Sequence, residues 1–248
     1  MSHSIPRSLV KNLDLFRAVP DKDLDTVLSI ARPMRLNAGD PVFQQGQPAT
    51  QFFVLLHGHL KVVQTTAEGE QVVVRYVIPG EVFGIAKAMQ RPAYPASCLA
   101  VEESVVLGWP SAEWDRFMTS NLQFAANALQ AVGQRLHDAH ARIKELSTEE
   151  VEQRVARCLL RLIDSSGEKT DDGIAINFPI TRQDIAEMTG TTLHTVSRLL
   201  SAWKEQGMVL TGRKRVTVRK VDDLIRLAEG AGACSSKPAA RKKPVEPA

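Results

Sequence analysis

Residues 181–208 read TRQDIAEMTGTTLHTVSRLLSAWKEQGM. Thr181, followed three residues on by Asp184, has the form of a capping box, with Asp in place of the usual Glu or Gln, and starts a helix. Ile185, Ala186 and Met188 supply its buried side. Gly190 suits a tight turn that needs a positive φ. Thr191 or Thr192 then caps a second helix, whose core face reads Leu193, Val196, Leu199, Leu200 and Trp203. Small Ala186 and Gly190, with apolar Val196, let the two helices cross closely, as a helix-turn-helix requires. The second helix presents His194, Ser197 and Arg198 on its opposite side. Val209 to Val218 follows as a hairpin with Gly212-Arg213-Lys214-Arg215 at its tip.

A helix-turn-helix with a cationic hairpin behind it is a winged helix, and its natural partner is double-stranded DNA. The second helix would enter the major groove. Arg198 suits bidentate contact to guanine O6 and N7, with Ser197 and His194 tuning neighbouring bases. Thr181, Arg182, Thr192, Arg213, Lys214 and Arg215 are the candidate phosphate contacts. Charge agrees with this once it is located. The 248 residues carry a formal net charge of only +3. Residues 1–146 sum to zero, as do residues 147–230, so the surplus lies in the last 18 residues. Inside the second neutral block, however, residues 191–220 hold Arg198, Lys204, Arg213, Lys214, Arg215, Arg219 and Lys220 against Glu205 alone.

Upstream, the pattern is helical and long. Leu122, Leu129, Leu136 and Ile143 are seven apart, and Ala125, Val132, Ala139 and Leu146 repeat that period three positions on. An a/d seam over four heptads predicts pairing with a second copy of the same helix. Residues 111–146 are therefore expected as a dimerisation helix. Further upstream, Gln51–Leu56, Leu60–Val63, Gln71–Val77 and Ser104–Leu107 are short β-type runs separated by turn signals, which suggests a double-sheet roll. Residues 1–18 form an N-terminal segment, 19–110 the roll, 147–229 the winged helix domain and 230–248 a basic tail without core-forming content. Residues 165–173 read as a loop. The fold class expected is α+β.

Composition removes several functions. Cys98, Cys158 and Cys234 are scattered and form no C-x-x-C pair, which argues against a disulfide scaffold, a zinc ribbon or a cysteine-ligated iron–sulfur cluster. Cys98 falls in a β-run and Cys158 on an apolar helix face, so both read as core. Aromatics at 5% are too few for a stacking-type single-strand binder. No G-x-S-x-G, H-E-x-x-H or Walker A pattern occurs, so no enzyme is expected. Neither a secretory signal nor a bilayer-length apolar run is visible, and the expected compartment is the cytoplasm.

A roll, a long heptad helix and a winged helix-turn-helix, in that order from Val19 to Ala228, resemble the Crp/Fnr superfamily of bacterial transcription regulators. The resemblance implies a cyclic-nucleotide-binding-like roll, a homodimer reading an inverted-repeat operator, and RNA polymerase as a partner. His194-x-x-Ser197-Arg198 is similar to the Fnr-side recognition pattern, in which Glu usually stands at the His194 position. His there is similar to the NnrR/Dnr-type, nitric-oxide-responsive branch. A TTG-containing half-site is the implied target.

The effector stays open. Cyclic-AMP-binding members carry Gly-Glu before a short helix and an Arg-Ser/Thr-Ala triplet after it. Gly80-Glu81 is present, but the triplet position reads Pro95-Ala96-Ser97, without the cation a cyclic phosphate needs. Gly80, Glu81, Tyr94, Ala96 and Ser97 outline the expected pocket. Arg91-Pro92-Ala93-Tyr94-Pro95-Ala96 is similar to the NnrR/Dnr stretch, for which the family implication is haem. Its iron ligand would come from His3, His57, His59, His137 or His140, although His57 and His59 read as solvated turn residues around Gly58. No residue set marks a metal site. A third possibility is a regulator without ligand, controlled by its level of synthesis. The Fnr-type cluster is excluded because no cysteine precedes Cys98.

Overall fold

The structure is a computed structural model and describes residues 5–230. The basic tail, His3 and Cys234 lie outside the described residues. The N-terminal segment contributes to the core. Helical turns at Arg7–Leu9 and Asp14–Phe16 bury Val10, Leu15 and Phe16 beside Trp109 and Phe124. It is part of the roll domain, and not the separate segment expected. Helix α1 (Asp21–Ser29) follows.

The strands of the roll are β1 (Arg32–Leu36), β2 (Pro41–Phe43), β3 (Gln51–His57), β4 (Leu60–Thr65), β5 (Gln71–Val77), β6 (Val82–Phe83), β7 (Ser97–Ala100) and β8 (Ser104–Pro110). They form two four-stranded sheets, ordered β1-β8-β3-β6 and β2-β7-β4-β5, with antiparallel pairing throughout. Side chains alternate between the faces of each strand, so every strand sends one set inward. Phe43, Phe53, Phe83 and Tyr94 fill the space between the sheets as a run of close aromatic contacts.

The expected helix over residues 111–146 is interrupted. Helix α2 (Trp114–Ser120) ends at Asn121, which has extended backbone geometry and accepts the Phe124 amide at 2.8 Å as the N-cap of α3 (Leu122–Thr148). Two stripes run along α3. Leu122, Leu129, Leu136 and Ile143 are 57–86% exposed in the single chain. Phe124 and Ala128 are buried, and Ala131 packs on the same roll cluster. One face therefore packs at home, while the heptad positions Leu122, Leu129, Leu136 and Ile143 are left bare.

The third part begins three residues later than expected, because α3 runs through Ser147 and Thr148. Helix α4 (Val151–Ser166) starts in a capping box between Glu150 and Gln153. The expected loop over residues 165–173 contains a strand: β9 (Gly167–Thr170) pairs in a hairpin with β10 (Gly173–Ile176). Next come α5 (Arg182–Thr189), α6 (Leu193–Glu205), β11 (Val209–Gly212), β12 (Arg215–Val218) and α7 (Val221–Ala228). Their sheet is ordered β11-β12-β10-β9. Val155, Cys158, Leu159, Ile185, Val196, Leu200 and Trp203 make the core. No helix among the described residues is long and apolar enough to cross a membrane.

Candidate nucleic-acid interface and sensory roll

The helix-turn-helix is held by its own polar groups. Thr181 Oγ1 accepts the Asp184 amide at 3.0 Å, while Asp184 Oδ2 accepts the Thr181 amide at 2.9 Å and its hydroxyl at 2.6 Å. Gly190 closes α5 in the left-handed region at φ 60°, and the Thr191 amide bonds back to the Ala186 carbonyl at 3.0 Å. Thr192, rather than Thr191, caps α6 by accepting the Thr195 amide at 3.2 Å. Arg154 clamps the turn from α4, donating to the Thr189 carbonyl at 3.0 Å and to the Glu149 carbonyl at 2.8 Å.

His194 and Arg198 stand exposed on α6, with Ser197 half-buried between them. Leu193, assigned to the core face by its spacing, is 47% exposed at the first position of α6. Two further positions of the core face, Val196 and Leu200, are fully buried. Sequence reasoning missed Leu193 as a surface residue because its apolar spacing fits the buried stripe. The wing turn is formed by Arg213 and Lys214, with Gly212 opposite Arg215. Lys214 takes φ 55°, and its carbonyl accepts the Ile180 amide at 3.1 Å, which fixes the wing tip beside the start of α5. Arg182, Thr192, Arg213, Lys214 and Arg215 are all exposed, and Thr181 is half-buried. Arg182, Arg198, Arg213, Lys214 and Arg215 form no ion pair among the described residues. These cations are exposed and unpaired, whereas the hydroxyls of Thr181 and Thr192 serve as helix caps.

The residues matched by a model of the Crp-like helix-turn-helix domain are 153–227, and those matched by a model of the cyclic nucleotide-binding domain are 33–121. The chain belongs to the Crp/Fnr family of transcription regulators. It is 28% identical over 221 residues to the cyclic AMP receptor protein of Thermus thermophilus, covering 89% of this chain and 99% of that one. It is 25% identical over 219 residues to the transcriptional activator protein anr of Pseudomonas aeruginosa, covering 88% of each. A CRP-family transcriptional regulator of known structure, also from Thermus thermophilus, superposes with TM-score 0.69 at 25% identity, covering 79% of this chain and 96% of that structure. FixK2 from Bradyrhizobium japonicum shares the fold, with TM-score 0.71 at 21% identity over 80% of this chain and 97% of that one. Regulators of the Crp family bind DNA and are dimeric.

In this Crp/Fnr chain the roll and the winged helix touch directly. Lys61 of β4 donates to Asp184 of α5 at 2.8 Å. Burial alone would raise the Asp184 carboxyl, but hydrogen bonds from Lys61 and Thr181 override it and hold the group below the usual carboxylate range. Arg142 of α3 donates to the carbonyls of Val73 and Val74 on β5 and of Met188 on α5, joining all three parts of the fold. His59 corrects the expectation of a solvated turn residue. It is buried, its Nδ1 lies 2.7 Å from Glu102, and its ring stacks on Phe178 at 4.5 Å. Gly58 turns at φ 82° where a Cβ would strike Glu103 and Ser104, so the chain folds inward after an exposed His57.

Residues expected around an effector are divided by the structure. Tyr94 is core: its hydroxyl donates to the Gln51 carbonyl at 2.7 Å, and its ring stacks on Phe43 at 3.9 Å. Ala96 is buried, and Ser97 Oγ accepts the Gln45 amide at 2.9 Å. Gly80 turns at φ 95°, and the Leu55 backbone binds on either side of it, which fixes the neighbouring Glu81. Glu81 pairs with Arg75 of β5. The described histidines offered as iron ligands differ in their surroundings. His57, His137 and His140 are exposed, His59 is engaged by Glu102 and Phe178, and the roll interior is filled with aromatic rings. Among the described residues, no group of three or more His, Cys, Asp or Glu could hold a metal ion. Cys98 and Cys158 are buried, and burial pushes the Cys98 thiol up to about 12, consistent with two inert core residues.

Proposed function

We propose that this chain is a homodimeric regulator that reads an inverted repeat with TTG-containing half-sites, one α6 helix per half-site. Arg198 contacts guanine, His194 and Ser197 contact neighbouring bases, and exposed Leu193 meets a thymine methyl. Arg182 and the wing residues Arg213, Lys214 and Arg215 take phosphates, with Thr181 and Thr192 at the two helix starts. The observation that carries the reading is the unpaired Arg198 on the exposed side of a rigidly capped α6, beside three unpaired wing cations. A dimer on such a site acts through RNA polymerase, by recruiting or occluding it. Leu122, Ala125, Leu129, Val132, Leu136, Ala139, Ile143 and Leu146 supply the dimer seam.

The roll is the sensing part of this reading. Nitric-oxide sensing through haem would have exposed His57 as its free histidine in the roll, and a cyclic phosphate finds no cation at Pro95-Ala96-Ser97. Selection from a random duplex library tests the DNA reading. Enrichment of a two-fold symmetric sequence with half-sites about one helical turn, roughly 10 base pairs, apart is expected. Failure to enrich any symmetric sequence contradicts it.

A further inference from the structure

The site on α5, α6 and the wing makes no use of residues 231–248. Their sequence holds Lys237, Arg241, Lys242 and Lys243 against Glu246 alone, which is the chain's whole surplus of +3. They include no aromatic residue and only Val245 as a branched aliphatic one, so they lack the side chains that add to a core. The structure fixes where this stretch leaves the winged helix. The Ala228 carbonyl, at the end of α7, accepts Arg157 of α4 at 2.7 Å, and the Gly230 amide bonds back to the Leu227 carbonyl at 3.1 Å. Gly230 takes φ 78°, where a Cβ would strike the Gln153 side chain in the first turn of α4. The exit is therefore pinned to α4.

The acids at that corner are largely engaged. Glu149 pairs with Arg157 at 3.0 Å, Glu150 caps α4, and Glu152 accepts the Trp203 indole N–H at 3.2 Å. Among the described residues of this corner, only Glu229 is left without a partner. Folding back on the domain thus offers four cations a single acid. The Trp203 bond also sets the exit against the last turns of α6, whose start lies about 15 Å back along the helix. Lys237 and Lys243 come seven and thirteen residues after Gly230, a reach of at most roughly 24 and 44 Å. Phosphates flanking a half-site held by α6 fall inside that reach.

We infer that residues 231–248 are a second DNA contact, a sequence-independent arm whose Lys237, Arg241, Lys242 and Lys243 take phosphates of the duplex flanking each half-site. The arm is tethered to a part already on DNA, so it acts at high effective concentration and its few weak contacts count. Each phosphate it neutralises releases counterions, so its contribution falls as salt rises. The inference rests on the reading of α6 in the major groove, and it extends the interface beyond the operator.

Binding of the full chain to three duplexes tests the arm: the bare operator, the operator with about 15 base pairs added on each side, and a scrambled duplex of that longer length. At about 0.1 M salt the parent should bind the longer operator some tenfold tighter than the bare one. A full-length variant carrying Lys237→Gln, Arg241→Gln, Lys242→Gln and Lys243→Gln, with its Tm unchanged as the control for folding, should lose that advantage. Its slope of log K against log salt on the longer duplex should be shallower by about two to four units per protomer. Equal binding of both operators by the parent, or an advantage that survives in the variant, overturns the inference. Tighter binding by the variant also overturns it, because the arm would then be folded on its own domain. The preference for the longer operator over the scrambled duplex is scored separately. Its absence contradicts the reading of α6, whereas the length effect in parent and variant measures the arm alone.

Discussion

Lys61 Nζ lies 2.8 Å from Asp184 Oδ1 and joins the roll to the first helix of the helix-turn-helix. Asp184 is also the N3 residue of the α5 capping box. One carboxylate therefore serves two tasks: it completes the helix start and it holds the helix-turn-helix against the roll. Arg142 makes a parallel link from α3 to β5 and α5. Polar contacts from the roll and from α3 thus converge on α5.

Removing Lys61 should loosen that joint. Lys61→Met is expected to cost about 1–2 kcal/mol, because Asp184 keeps its Thr181 bonds and loses only the charged donor. The Asp184 carboxyl is held below its ordinary value, so its contribution is present above the unfolded carboxylate range near pH 4 and is lost as pH falls through the folded value. Acid unfolding curves should therefore be steeper for the parent than for Asp184→Asn. Equal slopes would show that Asp184 carries no such contribution.

The bare heptad face should be where two copies meet. Leu129→Glu with Leu136→Glu places four charges in the seam of a dimer but touches no roll contact. Sedimentation should report a monomer with unchanged circular dichroism. A dimer that persists would move the interface elsewhere.

Gly190 sits at φ 60°, and a Cβ there would lie 3.0 Å from Leu146 Cδ2. Gly190→Ala should cost about 1–2 kcal/mol in thermal unfolding, from the left-handed backbone and the crowded neighbour together. Gly207, also left-handed at φ 69° but with open space around it, should cost less on the same substitution.

Arg213→Ala should weaken operator and random duplex alike, and should lower the salt dependence of binding by about one unit of log K against log salt per protomer. An unchanged slope would remove the wing from the interface.

Local signals were the legible ones. The Thr181–Asp184 box, the Gly190 turn and the wing rest on spacings of a few residues and are present in the structure, and the heptad spacing appears there as an exposed apolar stripe at Leu122, Leu129, Leu136 and Ile143. What escaped depends on distant contacts. His59 looked like a solvated residue beside Gly58, and only the approach of Phe178, more than a hundred residues away, buries it. The β9–β10 hairpin was hidden because Glu168, Lys169 and Thr170 are exposed and polar, with no alternating pattern. Asn121 divided the expected long helix, since a cap inside a helical pattern carries little weight in the sequence.

The central claim is that α6 reads bases through Arg198. Titration of parent and Arg198→Ala against the selected operator and against a random duplex of equal length, at one salt concentration, tests it most directly. The expected loss is about 1–3 kcal/mol on the operator, with random duplex binding almost unchanged. Equal losses on both duplexes would make Arg198 a phosphate contact and contradict base reading by this residue.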